Sequence, residues 1–450
     1  MGQSGRVTPR RASRRTLLLG VAGALGTLSA ACGPGTGGQP AASAPPATVE
    51  VWHPWDATRE PLFNKMIADF QLLYPNVTVL PTIVLANDHP AKYVAATAAG
   101  TPPAIANPDK QDLPAQSIRG YFQPLDALMK QERVLATDYY EPDIKNSTYA
   151  GKIGMLPAYV GAGRMLLYRN KKLFADAGLD PNKPPVTWDD LEAVERKITV
   201  KDGSELKRIA FTGDDFKRWL YAAGGRWASD DGRTVQFHLG PAADMVEWVK
   251  RRLDSIYGGV AARTAFGSTR SAATVRGGFY SNDLAMTVSN QSIIPDQVNN
   301  APSMQMGISA CPVLHADFPP SPAAFLSGYC VSAGTKTPLQ AFQFVKWITW
   351  DDRGVGWFFR QMGRPSPIKK QNDNPELRKL NPDWDNMIAA MAKDVFLPNT
   401  GIDKDIDALW TPVWNDALAG KTVARQGLQE AAAAAQKQVT AFWASVPAAK

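Results

Sequence analysis

Apolar and polar residues alternate over Ala47-Thr48-Val49-Glu50-Val51-Trp52, the period of a half-buried strand. From Pro61 the period changes: Phe63, Met66, Ile67, Phe70 and Leu73 recur at three and four, the spacing of one helix face, until Pro75 stops the run. Asn76-Val77-Thr78-Val79-Leu80 then alternates again. Residues 48–80 therefore predict a β-α-β unit with parallel strands and a right-handed crossover. The joining segment, His53 to Glu60, leaves the carboxyl end of the first strand, the edge at which open α/β sheets bind ligands.

Similar patterns continue down the chain. Tyr168-Arg169-Asn170-Lys171-Lys172-Leu173-Phe174 predicts the start of a short helix capped by Gly178, and Thr187-Trp188-Asp189-Asp190 resembles a capping box opening another. Thr337-Pro338 opens a helix with Phe342, Val345 and Ile348 on one face, and the alanine-rich stretch from Leu428 to Trp443 predicts the last one. Strands and helices alternate almost throughout, so the class is α/β.

The first residues do not fit a folded body. Ser13-Arg14-Arg15-Thr16-Leu17-Leu18-Leu19 opens an apolar stretch ending at Ser29-Ala30-Ala31-Cys32-Gly33, which reads as a twin-arginine signal peptide over residues 1–31 with cleavage before Cys32 and acylation of its thiol. Ser29 stands where a lipidation box usually has Leu, with Leu28 one place early. The stretch is too short for the roughly 20 apolar residues of a membrane span. Residues 32–47, rich in Gly, Pro, Ala and Ser, read as a flexible tether. The expected location is extracytoplasmic, lipid-anchored to the cell membrane.

A chain of 450 residues suggests two domains. The formal charge of +7 drops by the five leader arginines, Arg6, Arg10, Arg11, Arg14 and Arg15, to +2, and there is no Lys/Arg run, so nucleic acid is excluded as a partner. Cys311 and Cys330 are open to two readings, a disulfide or two buried thiols. No metal and no cofactor is expected: the chain has no C-x-x-C, and its four histidines, His53, His89, His238 and His315, are scattered. Hydrolase, phosphate-loop and dinucleotide motifs are lacking as well, and Asp214-Asp215 and Asp230-Asp231 read as solvated turn residues. Several of the 13 tryptophans stand beside Gly, Pro or Asp: Trp52, Trp55, Trp219, Trp227 and Trp410. Each is open to two readings, a core residue or a flat face for a sugar ring with neighbouring carboxylates accepting hydroxyl hydrogens.

The order of these motifs resembles the bacterial extracellular solute-binding proteins of family 1, sugar-capture proteins of ABC importers. The resemblance is carried by Tyr74-Pro75-Asn76-Val77, Ala99-Gly100-Thr101-Pro102-Pro103, Gly151-Lys152-Ile153-Gly154, Tyr168-Arg169-Asn170, Ala285-Met286-Thr287 and Gly328-Tyr329-Cys330-Val331. It implies a type II periplasmic-binding-protein-like fold, two α/β lobes around a ligand cleft with three hinge crossings. The expected lobes are 48–157 with 331–372, and 158–330 with 373–450. By position, Trp52, His53, Trp55 and Asp56 would form one cleft loop and Asn107 to Lys110 the opposing one, with Asp109 standing in for the acid usual there. Tyr159, Phe216, Trp219, Trp227, Asn290, Gln291, Tyr329 and Trp410 would complete the ligand contacts. The implied protein is a monomer that captures a carbohydrate or related polyol and delivers it to the transmembrane subunits of an ABC permease. A receptor-linked sensory adaptor and a secreted glycosidase are the alternatives.

Overall fold

The computed structural model describes residues 45–446 except 57–58, 86–87, 159–164, 272–277, 319–326 and 393–396. The expected signal peptide, Cys32 and nearly all of the tether lie outside these residues. Twelve strands follow in chain order: β1 Ala47–His53, β2 Val77–Ile83, β3 Ile105–Ala106, β4 Thr148–Tyr149, β5 Lys152–Ile153, β6 Leu156–Pro157, β7 Leu166–Asn170, β8 Val200–Asp202, β9 Glu205–Thr212, β10 Leu284–Ser289, β11 Met306–Ser309 and β12 Gly328–Val331. They form two five-stranded sheets, β2-β1-β3-β12-β6 and β11-β7-β10-β9-β8, and the hairpin β4-β5.

The β-α-β expectation holds. β1 runs parallel to β2 from Ala47↔Val77 to His53↔Ile83, and the helix Glu60–Leu73 between them buries Phe63, Met66, Ile67 and Phe70. Alternation puts Val49, Val51 and His53 on the covered face of β1. β12 returns from far along the chain to pair antiparallel with β3 and β6. Gly328 is required there, because a Cβ would lie 2.3 Å from the Leu156 carbonyl oxygen.

Two main hydrophobic cores result. One gathers Val49 to Ala158 and Tyr329 to Ile368, with a small satellite around Tyr93, Met155 and Cys330; the other gathers Leu166 to Val313 and Leu377 to Val439, with Tyr140 packed onto it. The chain thus passes between cores three times. The passages fall between Ala158 and Leu166, between Val313 and Tyr329, and between Ile368 and Leu377. The second lies upstream of the expected 330/331, since all of β12 belongs to the first sheet. Cys311 and Cys330 form no disulfide and are buried in different cores, which removes that reading.

Side-chain caps fix a few helix starts. Thr187 and Asp190 form the expected capping box on Trp188–Ile198. The segment from Tyr168 is corrected: Tyr168 to Asn170 complete β7, and the helix is Lys171–Asp176, because the Asn170 side chain accepts from the Lys172 and Leu173 N–H groups and caps it there. In the second core the guanidinium of Arg252, fully buried, bonds Glu195 Oε1 at 2.8 Å and engages Asp214, while Tyr257 donates to Glu195 at 2.6 Å.

Candidate functional site

The first-lobe side of the site grows from the carboxyl ends of β1 and β3. The ring of His53 packs on Phe63 at 4.2 Å and its Nδ1 accepts from the Trp55 N–H at 3.3 Å; burial pushes its pKa down to about 4, so the imidazole is neutral. Trp55, 5 % exposed, is wedged against Phe358 at 4.7 Å and lies beside the hydroxyl of Tyr329. Trp55 and Tyr329 therefore anchor the loop from below. Trp52 is half-buried on the opposite face of β1, edge-on to His89 and Tyr93, with its indole N–H donated to Glu50 at 3.0 Å. Asp56 is exposed, 3.9 Å from Arg59 Nη1. Beyond β3, Asn107 donates its backbone N–H to His89 Nε2 at 3.1 Å and its side-chain amide to the Gly328 carbonyl at 2.7 Å.

The second-lobe aromatics behave differently from the stacking expectation. Phe216 is fully buried and stacked on Trp410 at 4.8 Å; Trp410 is 8 % exposed and donates to Asp407 at 2.9 Å. Trp219 is fully buried, donates to Asp214 at 2.9 Å and meets Trp188 and Trp248 edge-on. Trp227 stacks on Phe237 at 5.0 Å, donates to Asp403 at 3.2 Å, and has Lys217 Nζ 4.0 Å above its ring. Phe216, Trp219 and Trp227 thus have no face left for a solute, and the acids beside the two indoles serve the indoles' own N–H groups. Tyr159 lies outside the described residues.

At the end of β10, Asn290 is half-buried and its Oδ1 accepts from the Ser292 N–H at 2.9 Å. Gln291 is 0 % exposed, and among the described residues neither its Oε1 nor its Nε2 has a hydrogen-bond partner. The helix Ile293–Asn300 that follows reaches the other lobe, where Arg59, Leu62, Ile294, Asp296 and Arg360 line a cavity of about 500 Å³. Gln291 lies three positions before Ile294, which lines that cavity.

Several contacts cross that seam. Lys110 is 1 % exposed; its Nζ donates to Asn146 Oδ1 at 3.3 Å and to the Leu397 carbonyl at 3.2 Å, and Asn399 donates to the Lys110 carbonyl at 2.6 Å. Lys404 Nζ bonds both oxygens of Asp112, at 2.9 and 2.8 Å. Asp109, in the same loop, has its pKa pushed up to about 7 by burial and by the like charge of Asp112, with Lys404 acting the other way. Further along, a cavity of about 800 Å³ opens between the β4-β5 hairpin and the Asp230–Arg233 turn, where Trp443 stacks on Tyr149. Asn399 and Lys404 were missed in the sequence; the Asn-Thr-Gly turn ahead of the helix Asp403–Leu418 is a start signal, but nothing local says that it faces Lys110.

The seam combines carboxylates, amides and cations with the half-buried indoles of Trp52 and Trp443. Among the described residues no three His, Cys, Asp or Glu side chains are grouped to hold a metal ion. No described helix is long and apolar enough to cross a membrane.

A family model described as bacterial extracellular solute-binding protein matches residues 65–381. No curated protein sequence matches the chain. Among solved structures, CpMnBP1 with mannotriose bound aligns at 21% identity and a TM-score of 0.71, covering 86% of this chain and 99% of that one. The cyclic α-maltosyl-1,6-maltose binding protein of Arthrobacter globiformis aligns at 20% identity and a TM-score of 0.71, covering 88% and 100%. An ABC substrate-binding protein from Listeria monocytogenes in complex with cycloalternan aligns at 14% identity and 0.71, covering 89% and 99%. At these identities the likeness establishes the two-lobed fold.

Proposed function

Because this chain belongs to the bacterial extracellular solute-binding protein family, we propose that it captures a carbohydrate or related polyol in the seam between its lobes and delivers it to an ABC permease. The observation that carries the choice of solute is the buried amide of Gln291, which has no hydrogen-bond partner among the described residues, near a seam that brings together acids, amides and the cations Arg59, Arg360, Lys110 and Lys404. An amide supplies one acceptor and two donors, the set a pair of vicinal hydroxyls satisfies, and leaving it unmet costs about 1–3 kcal/mol. Half-buried Trp52, exposed Asp56, Asn290 and the Asn107–Asp109 loop supply the remaining contacts. Structural neighbours whose names carry mannotriose, cycloalternan and a cyclic maltosaccharide support the same solute class.

Capture follows from differential affinity. A solute touching both lobes favours the state in which they meet, and carrying a two-state clamp from 1% to 99% closed takes about 5.5 kcal/mol. A few hydrogen bonds to charged groups, at roughly 1.5–3 kcal/mol each, supply it. The solute leaves unaltered: among the described residues the seam pairs no nucleophile with a base. Anchoring through acylated Cys32, with the tether giving reach, would hold the clamp at the membrane beside its permease.

A thermal-shift screen of the mature protein against mono- and oligosaccharides, polyols, amino acids and short peptides tests this reading. Carbohydrates or polyols are expected to raise the melting temperature as mass action requires, and Gln291→Ala to remove most of the shift. A response confined to amino acids or peptides, or turnover of a chromogenic glycoside, overturns it.

A further inference from the structure

The second lobe carries a cavity of about 440 Å³ that the seam does not use. Its walls come from β7, β11 and the loop and helix segments packed on them. Pro185, Val313, Phe318 and Ala390 give it an apolar lining, and Arg169 and Ser309 supply polar atoms. Arg169 is 2 % exposed. Its Nε and Nη2 donate to the Pro181 and Asn182 carbonyls at 3.2 and 3.3 Å, whereas Nη1 has no hydrogen-bond partner among the described residues; the same holds for the Ser309 hydroxyl.

A guanidinium held this way needs room and a counter-charge. Room is made by Gly307, where a Cβ would lie 2.6 Å from Arg169 Cζ. Counter-charge is short. Asp383 donates its field to Arg169 but also lies 3.8 Å from Lys171 Nζ and accepts from the Ile308 N–H; Asp180, the other acid felt by Arg169, is exposed. Burial pulls the pKa of Arg169 below its ordinary value, the direction that a bound anion reverses. Proteins normally satisfy buried donors, so an unmet Nη1 and an unmet hydroxyl on two residues that line the same part-polar, part-apolar cavity mark a place for an acceptor.

We propose that this cavity is a second ligand site, distinct from the seam, for a small organic carboxylate with a compact apolar body: the carboxylate accepts from Arg169 Nη1 and the Ser309 hydroxyl while the body fills the proline-, valine- and phenylalanine-lined space. A cavity of this size admits a single-ring or short-chain acid.

The test is calorimetric titration of the full mature chain with benzoate and with hexanoate, beside benzyl alcohol as the uncharged shape control. Benzoate or hexanoate is expected to saturate one site, with benzyl alcohol at least tenfold weaker. Arg169→Met should weaken the acid at least tenfold. Ala389→Trp, on the exposed rim of the cavity, should do the same without touching the guanidinium, and it decides the matter if Arg169→Met fails to fold. Carbohydrate titrated into acid-saturated protein should bind with unchanged affinity, which separates this site from the seam. The proposal is overturned if neither acid binds, if benzyl alcohol binds equally well, if Ala389→Trp leaves acid affinity intact, or if carbohydrate displaces the acid.

Discussion

Replacing Lys404 by Ala removes the bidentate ion pair with Asp112 that joins the first-lobe loop to the second-lobe helix Asp403–Leu418. The Lys404 side chain is 48% exposed and Asp112 13%, so the pair is screened on one side and about 0.2–1 kcal/mol is the appropriate scale. A clamp that opens by parting the two lobes would break this bond; its energy would then come off the closed state alone, and solute affinity should fall by about 1.4- to 5-fold. Calorimetric titration with the best solute from the thermal-shift screen measures it. Asp112→Asn should show a similar loss, the double variant should lose no more than the larger single one, and the difference from wild type should shrink in 0.5 M salt. The melting temperature of the solute-free protein should move little. An affinity gain in Lys404→Ala would refute the reasoning, since it would mean that the pair opposes closure.

Arg252→Met strands Glu195 without its partner in a core where both side chains are fully buried, and urea unfolding should show a loss of about 3–5 kcal/mol. Trp219→Phe should leave solute affinity within about twofold while lowering stability, because it removes the donor to Asp214 and touches nothing at the seam. Asp109 titrates near 7 in the folded chain against an ordinary value of 3.8, so the native state binds the extra proton and its stability contribution fades as pH rises from about 4 through 7; Asp109→Asn should raise the urea midpoint at pH 8 and match wild type near pH 4. His53 and His89 act in the opposite sense: buried neutral with pKa about 4, they make stability fall as pH drops from 6.5 towards 4, and the His89→Gln variant should show a shallower acid limb. In a Cys32→Ser background, Cys311 and Cys330 should react with a thiol reagent only on unfolding, and reductant should not shift the melting temperature.

Periodicity carried the fold well where one face of an element is buried. Val49/Val51 against Thr48/Glu50, and Phe63/Met66/Ile67/Phe70, each state a face, and the sheet obeys them. Caps were legible for the same reason: Thr187 and Asp190 satisfy each other within four residues. The site was less legible because its partners are remote. Asp214 next to Trp219 looks like a sugar-binding pair, yet the carboxylate is already engaged by that indole and by Arg252, 38 residues on. Trp227 finds its acceptor 176 residues away in Asp403. Sequence neighbours reveal that a tryptophan has a polar handle nearby, not which way the ring faces. Lys110 and Asn399 meet across 289 residues, a distance at which no local pattern speaks.

The return of β12 has a consequence for biosynthesis. Its partner β3 is finished at Ala106, but the strand that completes the sheet begins at Gly328. At roughly 5–20 residues per second a ribosome takes on the order of 10–45 s to bridge that interval. For all that time β3 presents a bare edge, and the nascent chain already holds most of the second half. Neither lobe is one uninterrupted stretch of chain, and a chain that stops between Ala106 and Gly328 lacks the strand that covers the edge of β3.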